Sequence, residues 1–325
     1  MHRTRVLVTA PLPDDLMTSL REAFDLEVMP PAGAQDSTSV ISSLATTEGV
    51  VLSEALQFTA ELLDSCPKLR VISKVGVGYD NIDVAAATAR NILVCNTPAV
   101  LSGAVADLTF ALLLALTRRL RDNEAHVRTG AWKTASGPLG HDIRGKTMGI
   151  IGLGGIGRTV ARTARGFDMS IIYYKRTRDL EAEGSGLAAF SGRDDLFRDA
   201  DVVSVHCALT PETRQSIGEA EFALMKPSSC FINMSRGAVI DQAALVRALQ
   251  TGRIAGAALD VTDPEPLDPA DPLCSLPNVV LTPHVGSGTV ETRRAMHELA
   301  VQNLFQAMSG KVPKAAVNPQ VLQAR

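Results

Sequence analysis

Met148-Gly149-Ile150-Ile151-Gly152-Leu153-Gly154-Gly155-Ile156-Gly157 decides the reading of this chain. An apolar β-type run leads straight into Gly-x-Gly-x-x-Gly, and a helical pattern, Arg158 to Arg165, leads out of it. In that setting the first glycine, Gly152, permits a tight turn. The second, Gly154, lets backbone approach a pyrophosphate, and the third, Gly157, lets helix and strand pack closely. The N–H groups at the start of the helix then face an anion. A glycine-rich turn without a ligand is the plain alternative, and the strand–helix alternation around the motif weighs against it.

Outward from this turn, short β-branched runs alternate with helical patterns. Strands are expected at Met148–Leu153, Ile171–Tyr174, Asp201–Val205, Phe231–Met234, Ile254–Leu259 and Val279–Thr282. Helices are expected at Arg158–Arg165, Glu212–Met225, Gln242–Gln250 and Glu291–Met308. A second series precedes it, with strands at Arg5–Thr9, Gly49–Leu52, Arg70–Val75 and Ile92–Cys95. Its helices are expected at Pro13–Phe24, Thr59–Ser65 and Val84–Arg90, the last capped by Asp83. Strands separated by helices imply α/β architecture with parallel sheets. Ala104–Arg118 is more apolar than a surface helix requires, which predicts burial between domains or subunits. Gly130–Gly145 reads as a loop.

Composition narrows the function classes. The 325 residues amount to about two domains. A formal charge of −3 argues against nucleic acid as the main partner. The longest apolar run, Phe110–Leu116, is far short of a bilayer span, and the amino terminus lacks the apolar length of a signal peptide. Five cysteines without a C-x-x-C pair suggest a reducing compartment, a cytoplasmic protein and no metal centre.

Chemistry-bearing residues fall at strand ends. An NAD site usually places an acid about 20 residues past the glycine turn, to hold the ribose 2′-hydroxyl. Here Lys175, Arg176 and Thr177 stand at the end of the next strand, and no acid appears until Asp179. Cations there suit a 2′-phosphate, so NADP(H) is favoured and NAD(H) left open. A solvated basic loop is the bland reading. Further on, Arg236 follows the strand ending at Met234, Asp260 and Glu265 follow the strand ending at Leu259, and His284 and Gly286 follow the strand ending at Thr282. In a doubly wound sheet all of these face one crevice. Arginine grips a carboxylate with two hydrogen bonds, and histidine can give a proton near neutral pH. A neighbouring carboxylate favours the charged imidazolium. That set suits reduction of a 2-keto acid, although each residue taken alone has an ordinary structural explanation.

Taken in order, these motifs resemble the D-isomer-specific 2-hydroxyacid dehydrogenases. The resemblance covers nearly the whole chain. It rests on Val75-Gly76-Val77-Gly78-Tyr79-Asp80-Asn81-Ile82-Asp83, Asn96-Thr97-Pro98, the glycine turn, Ile232-Asn233-Met234-Ser235-Arg236-Gly237, Leu259-Asp260-Val261 through Glu265-Pro266, and Pro283-His284-Val285-Gly286-Ser287. The C-terminal half is most similar to the glyoxylate/hydroxypyruvate reductase branch, near the 2-ketogluconate reductases. The resemblance implies two Rossmann-like parallel-sheet domains with a cleft between them. Residues 1–100 plus 288–325 would form a flavodoxin-like substrate domain, and residues 101–287 the dinucleotide-binding domain. It implies that Arg236 binds the substrate carboxylate and carbonyl, that His284 donates the proton, and that Glu265 sets the charge of His284. Val77 and Gly78 would hold the carboxylate through their N–H groups. Asp260 would face the nicotinamide carboxamide, Gly155 and Ile156 the pyrophosphate, and Met234, Ala208 and Gly286 the cofactor cleft. The product would be a D-2-hydroxy acid and the assembly a homodimer.

Three departures qualify the resemblance. His206-Cys207-Ala208-Leu209-Thr210 replaces His-x-Pro-Leu-Thr, and Ala106-Asp107 replaces Ala-Glu. Ala135 stands where animal members carry a second tryptophan three residues past Trp132. The preferred keto acid therefore stays open and depends on loops near Leu52–Leu56 and Gly137–His141. Among other classes, a corepressor that senses NAD(H) shares the fold but would carry terminal extensions. Formate dehydrogenases use Gln at the Glu265 position. Phosphite dehydrogenase would need the missing acid at the ribose.

Overall fold

The computed structural model describes residues 3–29, 37–53 and 56–323. Met1 and His2 of the amino-terminal reading lie outside the described residues, as do Glu54 and Ala55 of the Leu52–Leu56 stretch. The chain divides into two units, Met1–Leu101 with Thr289–Arg325, and Ser102–Gly288.

The first unit begins with β1 (Arg5–Val8), α1 (Asp14–Ala23), β2 (Asp25–Val28), α2 (Ser37–Thr46), β3 (Gly49–Leu52), α3 (Ala60–Asp64), β4 (Val71–Lys74), α4 (Val84–Ala89) and β5 (Leu93–Cys95). The five strands form one parallel sheet in the order β2-β1-β3-β4-β5. Leu7, Val50, Leu52, Ile72 and Val94 are buried in its core, as continuous apolar runs in a covered sheet require. Asp83 caps α4 by accepting the Ala86 N–H at 2.8 Å.

The second unit follows the chain as α5 (Ser102–Thr117), α6 (Leu120–Arg128), β6 (Thr147–Ile151), α7 (Gly155–Arg165), β7 (Ser170–Tyr174), α8 (Leu180–Gly184), β8 (Ala189–Phe190), α9 (Arg193–Asp199), β9 (Val202–Val205), α10 (Glu219–Leu224), β10 (Cys230–Asn233), α11 (Gln242–Gln250), β11 (Gly256–Leu259), α12 (Pro272–Ser275) and β12 (Val279–Leu281). Its seven strands are parallel in the order β12-β11-β10-β9-β6-β7-β8. The order reverses at β6, the strand that carries the glycine turn. In open α/β sheets a ligand crevice opens at that switch point, outside the carboxyl ends of the strands.

The chain then returns to the first unit with α13 (Val290–Met308) and a short α14 (Gln320–Gln323). α13 packs on β3 and β4. Phe305 meets Phe24 at 5.1 Å, and the buried Ser73 hydroxyl donates to Ala300 O at 2.7 Å.

Two expectations are corrected here. The helix read from Glu212 begins only at Glu219. Thr210 and Thr213 close a turn through their hydroxyls, Gln215 adopts a left-handed backbone (φ 48°), and Ile217 bridges to Ile240, so the residues before Gly218 are committed elsewhere. The apolar helix α5 needs no neighbouring domain or subunit to bury most of its apolar face. Val105, Phe110, Leu112 and Leu113 are buried within the second unit, where α5 packs on α7 and on β10 to β12, and Phe110 stacks on Phe167 at 4.9 Å. The short polar elements α6, α8 and α9 and the edge strands β2 and β8 escaped the sequence reading. Among the described residues, no helix is long and apolar enough to cross a membrane.

Candidate active site

The glycine turn is built as its sequence requires. Gly152 has φ +95°, and a Cβ there would lie 2.7 Å from the Cys207 nitrogen. A Cβ at Gly157 would lie 2.2 Å from Gly152 O, so only glycine lets α7 seat against the turn. At Gly154, by contrast, a Cβ would meet no atom within 4 Å, so the space beside its backbone is open. Gly155 and Ile156 form the first turn of α7, where N–H groups lack intrahelical acceptors. A hollow of about 660 Å³ lies beyond, at the ends of β6, β7 and β9, with Gly152, Gly154, Lys175, Arg176, Thr177 and Ala208 in its wall. The donor set fits a dinucleotide: free helix N–H groups, an open approach at Gly154 and two cations at the β7 end.

Other residues of that wall include Arg193 and Glu212, which sequence reasoning overlooked, and His206. Arg193 is paired with Glu221 at 2.6 Å. Glu212 accepts the Thr210 hydroxyl at 2.7 Å, a contact that holds its carboxyl below the usual range, with Arg176 adding to the effect. His206 bonds Ser204 through Nε2 at 2.8 Å while its Nδ1 is buried with no partner among the described residues, and burial pushes its imidazole down to about 3.

The other chemical residues follow β10, β11 and β12, three adjacent parallel strands, so their loops share one edge of the sheet. After β10, Asn233 organises the turn. Its side-chain amide donates to Arg236 O at 2.9 Å, and its Oδ1 accepts both the N–H and the hydroxyl of Ser235 at 3.0 Å. Arg236 donates from Nη1 to Ser235 O at 2.7 Å. A Cβ at Gly237 would fall 2.0 Å from the Thr262 carbonyl, so glycine alone allows this turn to abut the loop that carries Glu265. Gln242, also missed in the sequence, straps that loop. It accepts the Asp263 N–H at 3.0 Å and donates to Asp271 at 3.1 Å. Glu265 Oε1 lies 2.6 Å from His284 Nδ1. Because a carboxylate only accepts, Nδ1 carries hydrogen and Nε2 is the ring atom left to meet a reactant.

His284 sits in the left-handed region (φ 52°), uncommon for a residue with a Cβ, and Asp260 holds it there. The Asp260 carbonyl accepts the His284 N–H at 2.8 Å. Its carboxylate, 2% exposed, accepts Thr282 Oγ1–H at 2.6 Å and the Val285 and Gly286 N–H groups at 2.8 Å. Its side chain thus anchors the histidine loop, a role the sequence did not suggest. Met234 is buried just past β10, its N–H donating to Val205 O.

In the first unit, Val77 and Gly78 follow β4. The Gly76 N–H donates to Thr97 Oγ1 at 2.8 Å, and Asn96 donates to Val77 O at 2.8 Å. Asn303 of α13 fixes Asn96 in turn at 3.0 Å. Among the described residues the N–H groups of Val77 and Gly78 have no hydrogen-bond partner.

Comparison with known proteins gives the family. The family model described as D-isomer specific 2-hydroxyacid dehydrogenase, NAD binding domain, matches residues 110–286. The chain belongs to that family of oxidoreductases, and its second unit is an NAD(P)-binding domain. Among its relatives, a glyoxylate reductase of Thermococcus gammatolerans is 42% identical over 99% of this chain and 98% of its own. A glyoxylate/hydroxypyruvate reductase B of Citrobacter koseri is 44% identical over 97% and 98%. Among solved structures, the NADPH-dependent glyoxylate/hydroxypyruvate reductase of Sinorhizobium meliloti, in complex with NADP and malonate, superposes with a TM-score of 0.86. It shares 35% identity and covers 98% of this chain and 97% of its own.

Proposed function

We propose that this protein reduces a small 2-keto acid of the glyoxylate or hydroxypyruvate type to the D-2-hydroxy acid, with preference for NADPH. The observation that carries the reading is the 2.6 Å pair of Glu265 Oε1 and His284 Nδ1, on a loop sharing one sheet edge with Arg236. The reduced nicotinamide, when bound, supplies the hydride. Gly154, Gly155 and Ile156 would hold the pyrophosphate, Lys175, Arg176 and Thr177 the adenosine ribose and its 2′-phosphate, with Gly152, Gly157, Ala208, Met234 and Gly286 shaping the path.

The protein's own residues do the rest. Arg236 presents a planar fork to the substrate carboxylate and stabilises the negative charge that grows on the keto oxygen. His284 gives that oxygen the proton on Nε2, and Glu265 holds the ring by Nδ1 so that Nε2 is the atom left to react. Val77 and Gly78 are carboxylate-binding N–H groups in the same reading. Asp260 keeps the histidine loop in its left-handed turn. Lys175 and Arg176 support NADPH because both cations line the hollow at the strand end where an NAD site would present an acid.

We also infer a homodimer. Leu120, Val127, Trp132 and Leu139 are exposed along one stretch of chain, Trp132 at 70% and Leu139 at 89%, and no residue of α6 is buried. Exposed apolar side chains so close together in sequence support a surface that another copy covers.

The test is absorbance at 340 nm with glyoxylate and hydroxypyruvate. Turnover is expected with either acid, and His284→Ala should lower kcat by about 10²–10⁴-fold, the worth of a positioned general acid. NADPH binding should survive that substitution. A His284→Ala variant as active as the unaltered protein would remove the proton donor from this mechanism.

A further inference from the structure

Asp179 is the first acid after β7, and it is not among the residues that line the hollow. It is 7% exposed. Arg158, in the first turns of α7, donates Nη2 to its two oxygens at 2.6 and 2.7 Å. The Ala182 N–H donates to Oδ1 at 3.1 Å and so caps α8. Its own N–H donates to the Tyr173 hydroxyl at 2.6 Å, and that hydroxyl donates to Glu183 at 2.8 Å. The fourth contact is Lys175, whose Nζ stands 3.5 Å from Oδ2. Asp179 thus ties the helix opened by the glycine turn, the end of β7 and the start of α8 to one buried carboxylate. The Ala182 N–H above all, then Arg158 and Lys175, hold that carboxyl below its ordinary range, so it is charged at neutral pH.

We propose that Asp179 is a positioning residue for cofactor choice: it anchors the Lys175 ammonium at the hollow so that the cation is set in advance for a 2′-phosphate. This rests on the NADPH reading above and names a residue that acts through Lys175 rather than on the cofactor. A free lysine has a flexible four-carbon stem and loses rotamer freedom when a ligand immobilises it. An ammonium already held by a carboxylate has given up part of that freedom. Arg158, which also pairs with Glu181 at 3.0 Å, and Lys175 together balance the two carboxylates, so the cluster presents no net negative charge to the phosphate. In its buried, capped position the same carboxylate does not line the hollow, and so is not available to the 2′-hydroxyl of NADH.

The experiment compares the unaltered protein with Asp179→Asn, Lys175→Ala and the double variant, reading kcat/KM for NADPH relative to NADH. Adenosine 2′,5′-bisphosphate and 5′-AMP are titrated by calorimetry as a readout independent of turnover. Asparagine retains an oxygen for the Ala182 N–H, and Asp179→Ser, which also caps, is run beside it in case the first variant does not fold. The ratio should fall by about 3- to 10-fold in Asp179→Asn, the scale of one partly exposed charged contact. The double variant should fall no further than Lys175→Ala alone. A ratio that is unchanged or raised in Asp179→Asn, or losses that add in the double variant, overturns the proposal. An unaltered protein that does not discriminate the bisphosphate from 5′-AMP overturns the cofactor reading and this proposal with it; discrimination that is undiminished in Asp179→Asn overturns this proposal alone.

Discussion

Asp260→Asn tests whether the histidine loop is held as the structure indicates. The carboxylate takes three donors, the Thr282 hydroxyl and the Val285 and Gly286 N–H groups, all within 2.8 Å. An amide keeps only one acceptor. The less costly orientation leaves oxygen facing Thr282 and Val285 and turns NH2 against the Gly286 N–H. One charge-assisted bond is lost, about 1.5–3 kcal/mol, and a buried donor is left unpaired, about 1–3 kcal/mol, so the loop loses roughly 3–5 kcal/mol of local stability. Hydrogen exchange followed by mass spectrometry on a peptide spanning residues 282–288 reads this directly. Protection at Val285 and Gly286 should drop on the order of 100-fold, the equivalent of about 3 kcal/mol. A loop that wanders by an ångström also carries His284 out of line, so kcat should fall by about 10²-fold. Unchanged protection at Val285 and Gly286 would refute the anchoring role, even if activity fell.

Three other outcomes are expected. Arg176→Asp should move preference from NADPH toward NADH by about 10- to 100-fold, the value of one charged hydrogen bond to phosphate, measured as the ratio of kcat/KM for the two cofactors. His206, pushed down to about 3 by burial, is neutral when folded but takes up a proton when unfolded below its ordinary 6.5. Its contribution is therefore complete above pH 6.5 and erodes as pH falls toward 3, by about 2 kcal/mol between pH 7 and 5. Denaturant midpoints at the two pH values check this, and His206→Asn should flatten the difference. Light scattering should give twice the chain mass of 34.5 kDa, with Trp132→Glu shifting the population to single chains.

Local sequence sufficed where chemistry and geometry are local. The glycine turn could be read because Gly152 and Gly157 satisfy steric demands set within a few residues, and an apolar strand before a helix announces a βαβ unit. Arg236, Glu265 and His284 could be brought to one edge from order alone, because parallel strands place every following loop at the same side of a sheet. The short polar elements could not be read. α6, α8 and α9 have too few apolar positions to show a period, and the helix pattern from Glu212 ran ahead of the real start because the hydroxyls of Thr210 and Thr213 close a competing turn. What the tertiary structure alone decided is where buried charge goes. Asp260 and Asp179 look alike in sequence, each the first acid after a strand, yet one is filled by the backbone of a loop more than twenty residues on and the other by Arg158 from twenty-one residues before. A buried carboxylate must find donors, and which donors it finds depends on how distant parts of the chain pack together.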